Sequence, residues 1–190
     1  CPSCDKSYPI RGGRIHFIDV RTHTDDFDQL KARLKKTLGK YYYSVGIRWI
    51  NPTLSASLWD KIRDEIVPEQ GPIVDIGCGN YKINPEVIGL DIFPYEAVDI
   101  VGDLDALPFK QDSVQAFVSN SVMEHLPNPQ NVVDNLLNCT KPGGFSAHIL
   151  PFMYHFHASP HDYFRFTESG IDVLFNDWQI TGKQPVSGPI

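Results

Sequence analysis

From residue 72 onward the apolar positions arrive in short unbroken runs separated by turn-forming residues. This is the pattern of strands that bury both faces in a parallel sheet. Such runs occupy residues 73–76, 87–92, 114–120 and 145–150, with a shorter one at about 99–101 and a last one at 178–181. Upstream the spacing is helical. Phe27, Leu30, Leu34 and Leu38 recur at three- and four-residue intervals, opened by acids and closed by Gly39, which predicts an amphipathic helix over 26–38. A second helix over about 54–67 stops before Pro68. Between the fourth and fifth strands, "NPQNVVDNLLNCTKPGG" predicts a helix closed by Lys141 and a Pro-Gly-Gly turn. The alternation gives an α/β fold: a doubly wound, mostly parallel sheet with an N-terminal helical extension.

Two connections are short for that architecture. Nine residues, 78–86, separate the first and second strands, and six, 93–98, separate the second and third. A helical crossover takes about ten or more. The first connection therefore predicts at most a turn or two of helix, and the second plain chain interrupted by Pro94. Part of one sheet face then lacks its usual cover, which the N-terminal helices or a second copy of the chain, in a homodimer, would supply.

Composition narrows the class. The 190 residues are 42% hydrophobic, enough to bury one sizeable core, yet no window approaches 18 uninterrupted apolar residues, so no membrane-spanning helix is predicted. The net charge of -6 is unevenly divided: residues 1–50 hold ten Lys/Arg against five Asp/Glu, and residues 51–190 hold seven against eighteen. An acidic body repels polyphosphate, which disfavours nucleic acid as a partner unless the basic stretch "KARLKK" makes the contact. Four cysteines form no disulfide framework, and Cys78 and Cys139 stand alone inside predicted elements. That usage suits a reducing, cytoplasmic setting.

Cys1 and Cys4 make one Cys-x-x-Cys knuckle, and tetrahedral zinc asks for two more ligands. "CPSCDKSYPIRGG" resembles the second half of a small zinc ribbon, and a chain that begins at a cysteine is expected to start earlier in its natural form. His16 and His23 are the local substitutes as ligands, and zinc is not expected within these residues. The chain thus divides into a ribbon remnant and arm (1–24), N-terminal helices (25–70) and a sheet core (71–190) whose completeness at the C-terminus stays open.

In a doubly wound sheet the ligand lies beyond the carboxyl ends of the strands, so the residues that follow each strand carry the chemistry. Gly77 and Gly79 let backbone approach a ligand closely. Asp75 can anchor their loop or meet an ammonium group through water, and Asp91, ending the second strand, can accept two ribose hydroxyls. Asp103 and Leu104 can pair with an exocyclic amine and cover an adenine face. Lys82 stands where a dinucleotide site needs its third glycine, so the loop does not fit a pyrophosphate.

The ordered set "VDIGCGN", "VIGLDIF", "GDLDALPF", "SNSVMEHL" and "KPGGFSAHILPF" resembles the class I S-adenosylmethionine-dependent methyltransferases over about residues 55–182. It is most similar to their branch acting on small molecules. The resemblance implies a Rossmann-like fold and S-adenosylmethionine as cofactor. Gly77 and Gly79 would border its methionine part, Asp91 its ribose, and Asp103 with Leu104 its adenine; Asp75, Ile92 and Asn120 complete the expected set. The shortened crossovers depart from the commoner pattern of the superfamily and leave the contacts of residues 80–84 open.

The acceptor side is expected above the fourth and fifth strands. Methyl transfer from a sulfonium needs the nucleophile held in line and, for a hydroxyl, a group to take its proton. Glu124 and His125 follow the fourth strand, and "PFMYHFHASPHDYFRFTESG" follows the fifth. The latter resembles a signature of a methyltransferase branch linked to cell-surface sugars or lipids. His125 and His161 are the expected catalytic residues; His155, His157, Asp162, Tyr163 and Arg165 are expected to grip the acceptor, with Thr167 capping a helix after them. "SNSVMEHL" resembles a stretch with which some ubiquinone-pathway methyltransferases bind a divalent metal through an acid pair and a histidine, but Ser121 replaces one of those acids and the histidine spacing of the later loop matches no standard ligand pattern, so no metal is expected. The reading is thus methyl transfer to a small molecule, a sugar or lipid-linked glycan, at oxygen. Two other readings are a non-catalytic module of this fold, and an RNA or protein methyltransferase docking through the basic arm.

Overall fold

A computed structural model of the chain describes residues 6–19, 37, 70–154, 156–157 and 161–185. Among them, seven strands form one sheet in the order β1-β2-β5-β4-β3-β6-β7. They are β1 (Ile10–Arg11), β2 (Arg14–His16), β3 (Ile73–Ile76), β4 (Ile88–Asp91), β5 (Ile100–Val101), β6 (Val114–Asn120) and β7 (Thr140–Ile149). The β1–β2 hairpin is antiparallel, and the other neighbours run parallel. The predicted Rossmann-like, mostly parallel sheet is therefore present.

The strand β3 lies between β4 and β6, so the winding reverses there: β4 and β5 are laid down on one side, β6 and β7 on the other. A reversal of this kind opens a crevice beyond the carboxyl ends of the two central strands. Gly77 and Asn120 are the residues at its lip.

Helix α1 (Pro129–Cys139) starts with proline at its first position, and the Asn128 side chain accepts the Asn131 N–H at 3.4 Å. Val132, Val133, Leu136 and Cys139 form its buried stripe, against Val74, Ile76, Leu90 and Phe117 of the sheet. Eleven residues are marginal as an isolated helix, so tertiary burial at about 1.5–3 kcal/mol for a large apolar side chain holds it. Helix α2 (Glu168–Leu174) is capped as predicted, with Thr167 Oγ1 accepting the Gly170 N–H at 3.0 Å.

Between β3 and β4, and between β4 and β5, the chain makes no helix at all. The first of these connections still contributes to packing, because Ile83 and Val87 join Ile73, Ala116 and Val118 in a second, smaller apolar cluster.

Two boundaries differ from expectation. Residues 178–181 form no strand: the Trp178 N–H donates to Phe175 O at 2.9 Å in the turn after α2, and the indole packs on the main core. Its apolar pattern reflects that packing and not sheet pairing. Likewise β7 begins at Thr140, and the Lys-Pro-Gly-Gly turn survives as an irregularity inside it, where the register jumps from Val114↔Thr140 to Ala116↔Phe145 and Gly143 takes φ +78°. The predicted helix 54–67, the predicted helix 26–38 apart from residue 37, and the residues Cys1, Cys4, His23 and His155 lie outside the described residues. No helix among the described residues is long and apolar enough to cross a membrane.

Candidate functional site

The turn after β3 packs directly on the turn after β6. Gly77 has φ +64°, and a Cβ added there would stand 2.5 Å from Val122 Cγ2. Gly79 has φ +58° but open space where its Cβ would be, so its backbone face stays uncovered. Asp91, 8% exposed at the end of β4, holds this turn: Oδ2 accepts the Gly79 N–H at 3.0 Å and Oδ1 the Phe93 N–H at 2.9 Å. Asp75, 3% exposed, holds the next part of the loop by accepting the Ile83 N–H at 2.8 Å. Burial pushes its carboxyl up to about 7.

A cavity of about 270 Å³ at the reversal point is lined by Asp75, Gly77, Cys78, Tyr81, Lys82 and Asn120. Burial pushes the Cys78 thiol well up, so it lines the cavity as a neutral group and not as a nucleophile. Lys82 pairs with Asp99 at 2.9 Å, and the same carboxylate oxygen accepts the Gly89 N–H at 2.8 Å. Asp103 Oδ1 accepts the Asp105 N–H at 3.1 Å at the start of the 3-10 turn Leu104–Ala106. The Leu104 side chain is in the main core, and Ile92 is half-buried beside Asp91.

Sequence reasoning missed one feature of this crevice. Ser121, directly after β6, takes φ +56°, a region that costs a residue with a Cβ about 1–2 kcal/mol. Its N–H donates to Ile149 O at 3.0 Å and its hydroxyl to Asn120 Oδ1 at 3.2 Å. Backbone strain of this sort concentrates at functional sites. No sequence pattern marks serine for it.

The residues present fit S-adenosylmethionine. The ligand carries an amino-acid end, a ribose and a cationic sulfur. The crevice offers an uncovered backbone face at Gly79, a cavity lined by Asp75, Gly77 and Asn120, and a second acid, Asp91, at the end of the adjacent strand.

The second group of predicted residues also converges. The Met123–His125 turn following β6 is tied to the loop after β7, since the Tyr163 N–H donates to Glu124 O at 2.7 Å and His125 Nδ1 donates to His161 O. His125 and His157 stand edge to face, ring centroids 5.0 Å apart, and Tyr154 packs on His157 at 4.8 Å. Arg165 grips Asp162 with both terminal nitrogens, one at 2.7 Å to Oδ2, and its Nε donates to Tyr154 O at 2.9 Å. This guanidinium holds the Asp162 carboxyl well below the usual carboxylate range. The rings of His161 and Tyr163 lie 5.5 Å apart on the exposed side, so toward His125 it is the His161 carbonyl that acts. Glu124, at the centre, is 0% exposed.

A sheet wound in this order, with glycine turns and acids at the strand ends, has known relatives. Residues 74–147 match the methyltransferase domain family. The match covers the strands and turns that build the crevice. A 39-residue stretch is 49% identical to uncharacterised methyltransferases of Mycobacterium tuberculosis strains; it covers 20% of this chain and 15% of theirs. The structure is similar, at TM-score 0.54 and 21% identity, to one from a complex between the Trm112 methyltransferase activator of Haloferax volcanii and a protein assigned as a methyltransferase. That alignment covers 82% of this chain and 75% of the other. The fold is thus the Rossmann-like fold that methyltransferases use.

Proposed function

We propose that this protein is an S-adenosylmethionine-dependent methyltransferase that acts on a small molecule, a sugar or lipid-linked glycan, at a hydroxyl oxygen. The carrying observation is the cavity at the reversal point of the sheet, lined by Asp75, Gly77 and Asn120, next to the glycine turn that the Asp91 carboxylate holds through the Gly79 N–H. In this reading Gly77 and Gly79 border the methionine part with Asp75 and Asn120, Asp91 and Ile92 hold the ribose, and Asp103 with the Leu104 backbone borders the adenine. The cofactor supplies an electrophilic methyl carbon on a sulfonium. The chain's own residues orient the acceptor and exclude water. With the cofactor bound, the acceptor hydroxyl would be held toward its methyl group, and its proton would be taken up on the side of the mouth that Glu124, His125 and His157 line. Asp162, Tyr163 and Arg165 shape the wall of the acceptor mouth, and the His161 carbonyl fixes the His125 ring.

Calorimetry with S-adenosylhomocysteine tests the cofactor half of the reading. Binding at millimolar affinity or tighter is expected, and its absence from the folded chain overturns the assignment. Methyl transfer to a panel of hydroxylated sugars and glycolipids tests the other half. Binding without any transfer would instead assign a non-catalytic module.

A further inference from the structure

We propose that Glu124, His125 and His157 form a binding site for one first-row divalent metal ion of the zinc or ferrous class. The starting point is an unbalanced carboxylate. Glu124 is 0% exposed, and neither of its side-chain oxygens has a hydrogen-bond partner among the described residues. A buried carboxylate without donors is costly, and natural structures rarely leave one. Around it the described residues supply two imidazoles: His157 Nε2 lies 3.4 Å and His125 Nε2 3.9 Å from Glu124 Oε1. The three ligand atoms all lie within 4.8 Å of one another.

Both rings are turned so that Nε2 is the nitrogen presented. Nδ1 of His125 donates to the His161 carbonyl, and Nδ1 of His157 faces Asp162 Oδ2 at 3.5 Å. Asp162 is in turn gripped by Arg165 and accepts the His157 N–H at 2.7 Å. Metal-bound histidines are held in this way, with the non-ligating nitrogen donating to a carbonyl or a carboxylate. Four-coordinate zinc with ligands at about 2.0–2.1 Å places donors about 3.3 Å apart, close to the His157–Glu124 separation. The His125 contact needs to close by about half an ångström. Two imidazoles and one carboxylate suit zinc or ferrous iron better than magnesium or calcium, which prefer all-oxygen shells.

No metal is expected from the sequence, because Ser121 stands in place of an acid and the ligands come from two loops, His125 and His157 being 32 residues apart, which matches no local spacing. Three protein ligands leave a position for water or an acceptor oxygen. That last role rests on the methyltransferase reading, whereas the metal site does not.

The test uses the full chain carrying Cys1→Ser and Cys4→Ser, so that a thiolate site cannot contribute, stripped with chelator and titrated with Co²⁺ alone. We expect one equivalent bound, with the visible absorption of nitrogen and oxygen ligation, and displacement by Zn²⁺. Glu124→Gln and His157→Gln should each weaken Co²⁺ binding at least tenfold. Failure of the stripped parent to bind a stoichiometric ion overturns the proposal, as does unchanged affinity in either folded variant. His157 is half-buried, so its variant remains informative if Glu124→Gln does not fold. None of these readouts depends on methyl transfer, so loss of that reading would leave the metal result standing.

Discussion

The carboxylate of Asp91 accepts the backbone N–H of Gly79 at 3.0 Å, so the end of one strand fixes the glycine turn that leaves its neighbour. The same side chain accepts the Phe93 N–H at 2.9 Å. One acid therefore organises both connections that have lost their helices.

Replacing Asp91 by Ala should weaken S-adenosylhomocysteine binding by at least tenfold, since charge-assisted hydrogen bonds contribute about 1.5–3 kcal/mol each. It should also lower the melting temperature, because two backbone donors lose their acceptor. Asp91→Asn should recover part of the stability and less of the affinity. Calorimetry alongside thermal melts separates the two effects, and unchanged affinity in folded Asp91→Ala would remove Asp91 from the cofactor site.

The two glycines of the turn should respond differently to alanine. Gly77→Ala combines a left-handed backbone with a Cβ 2.5 Å from Val122 Cγ2, so the turns after β3 and β6 must separate. Gly79→Ala meets open space and costs only the backbone preference, about 1–2 kcal/mol. Urea unfolding should rank Gly77→Ala as the more damaging by more than about 1 kcal/mol, and adding Val122→Ala should restore part of the difference.

Stability should fall as pH rises from about 4 to about 7 on account of Asp75. Its folded carboxyl is pushed up to about 7 from an ordinary value of 3.8, chiefly by burial, so across that window the folded state holds a proton that the unfolded state has lost. The slope is about 1.4 kcal/mol per pH unit for one such proton. Asp75→Asn keeps an oxygen for the Ile83 N–H and carries no charge, so it should flatten this part of the curve and be more stable than the parent at pH 8. Equal pH dependence in parent and variant would show that another group controls the window.

Arg165→Ala should destabilise the chain by about 1–3 kcal/mol, since it leaves the Asp162 carboxylate, its side chain 1% exposed, with the His157 N–H but without its guanidinium donors. Arg165→Lys should also be harmful, because an ammonium cannot reproduce the forked grip. A double-mutant cycle with Asp162→Asn should give a coupling energy above about 1 kcal/mol. Additive effects would mean that the pair does not hold the loop.

Much of this arrangement could be read directly from the order of residues. The strands β3 and β6 fall where unbroken apolar runs place them, because strands buried on both faces need no alternation. Asn128 and Thr167 announce the two helices through short side chains that bond the local backbone, an effect within three residues. The shortness of the first two crossovers was likewise a matter of counting.

What only the tertiary structure decided are the relationships between segments far apart in the chain. Trp178 looked like the opening of a strand, yet its apolar neighbourhood serves the turn after α2, because a one-dimensional pattern records burial and not the element that provides it. The strain at Ser121 comes from packing the turn after β6 against Gly77 and β7, which no property of serine foretells. The burial of Glu124 arises only when the loop after β7 folds back over β6 and brings His157 within 3.4 Å of it. Spacing along the chain fixes local geometry, whereas the environment of a charge is set by whatever the fold lays over it, and that environment is what gives Glu124 its chemistry.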